Sequence, residues 1–580
     1  MPCRMLSSTA VLIALLLAGC GKSTVEPARN STKTVRLPES NPIAMPKTLA
    51  MFTERTTGSN VSFTYRNDQE AEHYSILESL GGGVALLDYD GDGDLDLFAP
   101  GGGEFGADKE IRGVLPGLFR NEGRFRFTEV TREAGFSSAP FYSHGAAAAD
   151  YDEDGFPDLL ITGYGGLQLY RNRGDSTFEQ VAVPAGLNNE SWSSSAAWGD
   201  VDGDGDLDLY LAHYVQWSFD DDVYCPASKP GLREICPPKT YEPLPDVYYS
   251  NNSDGTFSDD SDGIGLRDDG KGLGVLIGDF DNDGDVDIYV ANDTTANFLY
   301  RNDGAGHLED FSMLSATALS DKGVAEGSMG VELADFNLDG RPDLWVANYE
   351  RESIGLYRNE GNCSFQYVSQ SAGITAVDSL YVGWGTAFLD FDRDGDQDVV
   401  VSNGHVVRYP ENAPLRQKPL LFENQAGTRF VNVAPAVGKY FTEPHMGRGV
   451  ARGDIDEDGD VDLVISHINE PVSLLSNDST DKNNWLSLRL IGTKSNRSAI
   501  GSRITLRTAA GAQIRQINGG TSYASTNDPR VYFGLAKADS VESIEISWPA
   551  GAVESLFNVS ANQVITLIEG QGLQHGHSAL

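Results

Sequence analysis

Positive charge is what this chain has least of. Its 580 residues carry 43 Lys and Arg against 85 Asp and Glu, a formal charge of −42. Such a surface repels phosphate backbones and no basic patch offsets it, which excludes a nucleic-acid partner. Long apolar runs are also missing. The one stretch of note, Val11-Leu-Ile-Ala-Leu-Leu-Leu17, is too short for a comfortable membrane-spanning helix. Cysteines number five and histidines nine. There is no Gly-x-Ser-x-Gly, no His-Glu-x-x-His and no phosphate-cradling glycine loop, so serine-hydrolase, zinc-protease and nucleotide chemistry leave no signature. Helical periodicity is scant, whereas 64 glycines punctuate short apolar runs, the pattern of an all-β chain with many turns.

What the chain has in excess is aspartate, and it is ordered. Asp88-Tyr-Asp90-Gly-Asp92-Gly93-Asp94-Leu-Asp96 puts Asp at positions 1, 3, 5 and 9 of a nine-residue loop, with Gly at position 6. Like charges this close repel unless a hard cation sits among them. Ca²⁺ takes 6–8 oxygens, and alternating carboxylates on a tight turn supply them. The loop recurs six times, and each copy brings its odd positions as candidate ligands: Asp88, Asp90, Asp92, Asp94 and Asp96; Asp150, Asp152, Asp154, Phe156 and Asp158; Asp200, Asp202, Asp204, Asp206 and Asp208; Asp279, Asp281, Asp283, Asp285 and Asp287; Asp335, Asn337, Asp339, Arg341 and Asp343; Asp390, Asp392, Asp394, Asp396 and Asp398; Asp454, Asp456, Asp458, Asp460 and Asp462. Position 7 is expected to ligate through its backbone carbonyl, so Phe156 and Arg341 are tolerated there. Asn337 replaces the position-3 carboxylate of the fifth copy, which predicts weaker binding. The loops hold 34 of the acids and two arginines, so without them the charge is only −10. Up to seven structural Ca²⁺ ions are therefore expected.

Each loop lies between two short apolar runs, as in Gly83-Val-Ala-Leu-Leu87 and Leu95-Asp-Leu-Phe98. A strand ending in Tyr/Phe-Arg-Asn follows, such as Leu118-Phe-Arg-Asn121, and then an outer strand such as Phe125-Arg-Phe-Thr-Glu-Val130. Four strands per unit is the arithmetic of a propeller blade, and seven units make seven blades. The pattern resembles the FG-GAP (VCBS-type) repeats of integrin-α-like propellers over residues 51–484. Phe52-Thr-Glu-Arg-Thr-Thr-Gly58 resembles an outer strand, so residues 51–66 are expected to complete the last blade and leave no open edge.

The ends of the chain carry other signals. Arg4, the short apolar run and Ala18-Gly19 form a secretory signal. Leu17-Ala18-Gly19-Cys20 resembles a bacterial lipobox, which implies a signal peptide over 1–19 and lipidation of Cys20; an ordinary signal peptide is the alternative. The resemblance implies an exported bacterial lipoprotein, periplasmic or at the cell surface, held to the membrane by its lipid alone. Residues 20–50 read as a flexible tether. In an exported chain Cys225 and Cys236, within an insertion rich in Asp and Pro, most simply form a disulfide, with a two-cysteine metal site as the alternative. From Trp485 the acidic loops stop. Ser495-Asn-Arg-Ser-Ala-Ile-Gly501, Tyr523, Phe533-Gly-Leu535 and Trp548-Pro-Ala-Gly551 resemble the ASPIC/UnbV domain, expected as a small β-sandwich over 485–570 before a disordered tail at 571–580. Together the two parts resemble bacterial members of the cartilage acidic protein family, a resemblance that implies no established reaction.

A second site is conceivable at the strand ends opposite the loops. His144, His213, Glu326, His405, His445 and His467 fall there. They are candidates for a transition metal or acid–base work on polysaccharide, or for plain hydrogen bonds that hold a funnel together. Arg452-Gly453-Asp454 reads as an integrin-ligand tripeptide, but its Asp is the first ligand of the seventh loop. The expectation is a calcium-stabilised, lipid-anchored, monomeric binding module for protein or glycan, with an enzyme using the funnel residues as the alternative.

Overall fold

The computed structural model describes residues 52–377, 380–480 and 482–574; the signal segment, Cys20, the whole tether, and His575 and His577 of the tail lie outside them. Apart from short helical turns, regular structure there is all strand. In the first sheet Ala85–Leu87, Asp96–Ala99, Gly117–Asn121 and Phe127–Glu129 pair antiparallel in chain order. Five more such sheets follow, beginning at Tyr142–Ala149, Ser193–Gly199, Gly272–Gly278, Ser328–Ala334 and Gly383–Leu389. A seventh consists of Gly447–Gly453, Asp462–His467, Ser473–Asn477 and Phe52–Glu54, with Phe52 opposite Asn477. Each sheet carries one acidic loop between its first two strands.

The first strands contact one another in order, and Gly447–Gly453 returns to Ala85–Leu87, so the sheets close a ring as in a β-propeller. The strands are apolar and small because neighbouring backbones approach closely. At Gly330 a Cβ would stand 2.0 Å from Trp384 O, which no side chain permits. Apolar side chains fill the space between sheets, as Leu97, Phe119, Val464 and Leu474 do between the first and seventh.

Two further four-stranded sheets make the carboxyl-terminal domain. One runs Val531–Ala536, Asn484–Ile491, Val564–Ile568, Gly572–Gln574; the other runs Gly511–Gln516, Arg503–Thr508, Ser540–Ser547, Val553–Ser560. Leu486, Leu488, Ile504, Leu506, Ile544, Ile546, Ile565 and Leu567 are buried in their shared core. Residues 572–574, expected to belong to a disordered tail, are a strand: Gly572–Gln574 pairs with Thr566–Ile568.

This domain sits on the acidic-loop side of the ring, and its segment 518–527 enters the ring axis. There it pairs backbone to backbone with first strands: Gly519 with Ile277 (2.6 and 2.9 Å), Ser522 with Val331 (2.9 and 2.8 Å), Ala524 O with Ala146 N (3.1 Å) and Thr526 N with Val84 O (2.9 Å). Tyr523, at its tip, is fully buried among Tyr65, Trp192, Tyr214 and Trp384. Tyr241 and Trp217, from the insertion between the second and third strands of the third sheet, join the same cluster. The strand ends opposite the loops therefore surround packed aromatic rings. Within that insertion Cys225 and Cys236 are disulfide-bonded, with Cα atoms 5.3 Å apart.

Candidate metal centres

The acidic loops are hairpins with one hydrogen-bond plan. Position 6 is glycine at φ between +89° and +104° in all seven, the left-handed region that a side chain resists. Position 9 is a buried anchor. Asp96 accepts the N–H of Tyr89 (3.1 Å) on one oxygen and of Asn121 (2.8 Å) on the other. Asp158, Asp208, Asp287, Asp343, Asp398 and Asp462 accept the equivalent pairs. Position 5 accepts the N–H of position 7, as Asp154 does from Phe156 (3.0 Å).

Positions 1 and 3 remain less satisfied. Asp90, Asp150, Asp152, Asp200, Asp281 and Asp456 each keep a buried Oδ1 without a hydrogen-bond partner. One oxygen each of Asp88, Asp90 and Asp96 lie within 4.8 Å of one another, and Asp150, Asp152 and Asp158, and Asp200, Asp202 and Asp208, converge likewise. Burial raises the carboxyls, Asp96 and Asp343 to about 8 and Asp150, Asp208 and Asp454 to about 7. Converging, desolvated, unpartnered oxygens are the donor set a hard divalent cation takes. In the fifth hairpin Asn337 Nδ2 (3.0 Å) and the Arg341 guanidinium (2.6 Å) both donate to Asp339 Oδ2, so protein cations and amides already occupy part of that set. Asp454 is only 1 % exposed, so the Arg-Gly-Asp tripeptide presents no free carboxylate.

The asparagine that ends each Tyr/Phe-Arg-Asn run has a role that its local pattern does not announce. Asn172 Nδ2 donates to Pro157 O of its own hairpin (3.2 Å) and to Tyr89 O of the preceding one (2.7 Å). Asn121 makes the same bonds to Leu95 O and Ile455 O, joining the first hairpin to the seventh. The hairpins are thus laced into one circle. The carboxyl-terminal domain rests on that circle. Arg489 approaches Asp88 (3.7 Å), Arg497 approaches Asp150 (3.6 Å), Arg530 donates to Asp454 O (2.9 Å), and Gly534 N donates to Asp390 Oδ2 (3.1 Å). The buried Cys363 thiol donates to Asp287 Oδ2 (3.6 Å).

The six candidates on the opposite side do not gather into one site. The Trp192 indole, which can only donate, donates to His144 Nε2 (2.8 Å); the proton of His144 is therefore on Nδ1, facing Tyr65 Oη (3.2 Å). His213 Nδ1 donates to Pro245 O and its Nε2 accepts from Asn189 (3.2 Å). His405 Nδ1 accepts from Val406 N (3.0 Å), and its Nε2 faces Glu350 (3.4 Å). Only His445 and His467 come together, with ring centres 5.1 Å apart. His467 is held by Pro471 O (2.7 Å) and Tyr440 Oη (2.8 Å), while His445 Nδ1 faces Glu470 (3.2 Å). Glu326, raised to about 7 by burial and then by Glu352, accepts from Asn348 (2.9 Å).

Burial depresses the pKa of His144 to about 3 and of His213 and His467 to about 4. These folded-state values lie below the unfolded one, near 6.5. Between about pH 4 and 6.5 the unfolded chain therefore binds protons that the folded chain refuses, and stability falls as pH drops through that window. Each of the three contributes a loss on the order of 1 kcal/mol per pH unit below 6. Urea unfolding at pH 7, 6 and 5 in saturating Ca²⁺ tests this: His213→Gln should flatten the pH dependence, and equal slopes in parent and variant would contradict it.

Comparison with known proteins agrees with this architecture. The FG-GAP-like repeat matches residues 88–161, 150–211, 279–346 and 335–401, breaking where the disulfide-bearing insertion lies. The ASPIC and UnbV family matches residues 492–574. Cartilage acidic protein 1 of Xenopus tropicalis is 27% identical over 502 residues, 81% of this chain and 70% of that protein; the Homo sapiens protein is 25% identical over 522 residues, 84% and 71%. Among solved structures, a lectin from Burkholderia pseudomallei aligns at a TM-score of 0.41 and 10% identity, covering 69% of this chain and 99% of that one. The chain is an FG-GAP-repeat propeller protein with a carboxyl-terminal ASPIC and UnbV domain, similar to cartilage acidic protein 1 over more than four fifths of its length.

Proposed function

We propose that this protein is a calcium-stabilised, lipid-anchored binding module working outside the cytoplasm, with a protein or glycan partner. The observation that carries the calcium reading is the repetition, around one ring, of hairpins whose first- and third-position carboxylates keep buried unpartnered oxygens. A cation there relieves the repulsion and desolvation of the carboxylates, so its binding free energy adds to folding free energy. The binding reading is supported by where the catalytic candidates lie: the ring nitrogens of His144, His213, His405 and His467 are engaged within the protein. Lipid on Cys20, by its resemblance to a lipobox, would hold the module at a membrane surface.

Elemental analysis of the purified mature protein, together with incubation on acidic and neutral polysaccharides, tests the reading. Calcium approaching one ion per acidic loop, with no shortening of the glycans, is expected. Stoichiometric iron, copper or manganese, or depolymerisation, would overturn it.

A further inference from the structure

Between the acidic-loop side of the ring and the carboxyl-terminal domain lies a cavity of about 260 Å³, just below the usual small-molecule range of about 300–1,000 Å³. Besides Asp150 Oδ1 of the second hairpin and Gln397 Oε1 of the sixth, five buried side-chain atoms in its lining residues have no hydrogen-bond partner: Trp198 Nε1, Arg452 Nε, Arg515 Nε, Gln516 Oε1 and Asn518 Oδ1. Trp198 and Arg515 are only 2 % and 7 % exposed. Burial of such an atom without a partner opposes folding. Three donors and two acceptors around one space, besides those two hairpin oxygens, make a lining suited to a polar occupant.

The remaining hydrogen bonds show what that occupant must supply. Arg515 makes one hydrogen bond from each terminal nitrogen, to Ile514 O (3.0 Å) and Gln513 Oε1 (3.1 Å), with its guanidinium 5.3 Å from the Phe533 ring, while its Nε has no partner. Glu332 already accepts from Thr521 and from Asn527 (3.3 Å). Asp528 is paired with Arg530 (2.8 Å). Exposed Gly93, Arg489 and Pro529 also line the cavity and bring it to the surface. With cations on the hairpin carboxylates, the arginines are in surplus and favour an anion; this step rests on the calcium reading above.

We propose that the cavity binds a small hydroxylated carboxylic acid, a sugar acid of monosaccharide size. Its carboxylate meets Arg452 and Arg515, its hydroxyls donate to Gln516 and Asn518, and one of them accepts from Trp198. Arg–carboxylate recognition supplies the charge selectivity, and the orphaned amide oxygens favour a hydroxylated acid over a bare one.

The test is calorimetric titration of the full mature protein, its calcium content measured beforehand, with glucuronate, galacturonate, glucose and inorganic phosphate. One equivalent of a uronate should bind with a Kd of about 1 mM or tighter. Arg452→Gln should weaken it by about tenfold or more, and Trp198→Phe, which removes only an N–H from a buried ring system, by about threefold or more. Three results would overturn the proposal: no heat from either uronate at about 10 mM with calcium-loaded protein, equal binding of glucose, or binding of phosphate alone. The calcium content itself reports on the hairpins independently, so a failure of one reading is distinguishable from a failure of the other.

Discussion

Chelation of Ca²⁺ is expected to lower the melting temperature of this protein by about 10 °C. Extracellular calcium modules bind with Kd values near 10⁻⁴–10⁻³ M. At about 1 mM free ion and a Kd of about 10⁻⁴ M, each site adds about 1.4 kcal/mol to the folded state, and seven add about 10 kcal/mol. The 520 described residues, at about 2.1 cal/mol/K of unfolding entropy each, give roughly 1 kcal/mol per degree, which sets the size of the shift. The sites are unequal. Asp339 of the fifth hairpin already holds Asn337 Nδ2 and Arg341, so that hairpin contributes least, and Asn337→Asp should enlarge the response. In the second hairpin Asp150 and Asp152 keep unpartnered oxygens, so Asp152→Ala should reduce it. Calorimetric scans with EGTA, and after readdition of Ca²⁺, decide the matter. A melting curve indifferent to chelator would end the reading of the hairpins as cation sites.

The hairpins were legible because everything they need is local: a nine-residue spacing, a glycine at position 6, and apolar runs on either side. The four-strand repeat was legible for the same reason. The partners of the position-9 aspartates were half legible. Tyr89 N lies inside the loop that Asp96 closes, but Asn121 lies 25 residues away, and the Tyr/Phe-Arg-Asn run reads as a plain turn until the sheet brings it back. Which partners the histidines take was not legible, for a related reason. Their positions at strand ends follow from the repeat, yet what each one touches is set by residues from other sheets, as Trp192 reaches His144 across 48 residues. No pattern in the sequence signals an aromatic fill where a propeller would leave a funnel. The insertion carrying Cys225 and Cys236 and the segment around Tyr523 supply that fill, and neither belongs to the repeat.

Tyr523→Ala is expected to cost about 3–5 kcal/mol. The side chain is fully buried and its ring meets Trp384 edge-on, with centres 4.7 Å apart. The Gly81 N–H donates to its hydroxyl (3.0 Å), 442 residues away in sequence, and loses its partner in the variant, which adds about 1 kcal/mol or more. Arg448, itself buried and 4.2 Å from the Trp384 ring, would border the void, and a guanidinium cannot relax into an apolar gap without desolvation cost. Tyr523→Phe keeps the ring and loses only the Gly81 bond, so it should fall about 1–2 kcal/mol below the parent. The segment bearing Tyr523 belongs to the carboxyl-terminal domain but makes backbone bonds to the first strands of the first, second, fourth and fifth sheets. The damage should therefore spread to both parts: calorimetry should show parent and variant each unfolding in one transition, with the whole transition displaced. Two separate transitions, with only the later part of the chain destabilised, would show that the ring closes without its axial segment. The carboxyl-terminal domain would then be a passenger on the hairpins rather than the piece that fills the ring.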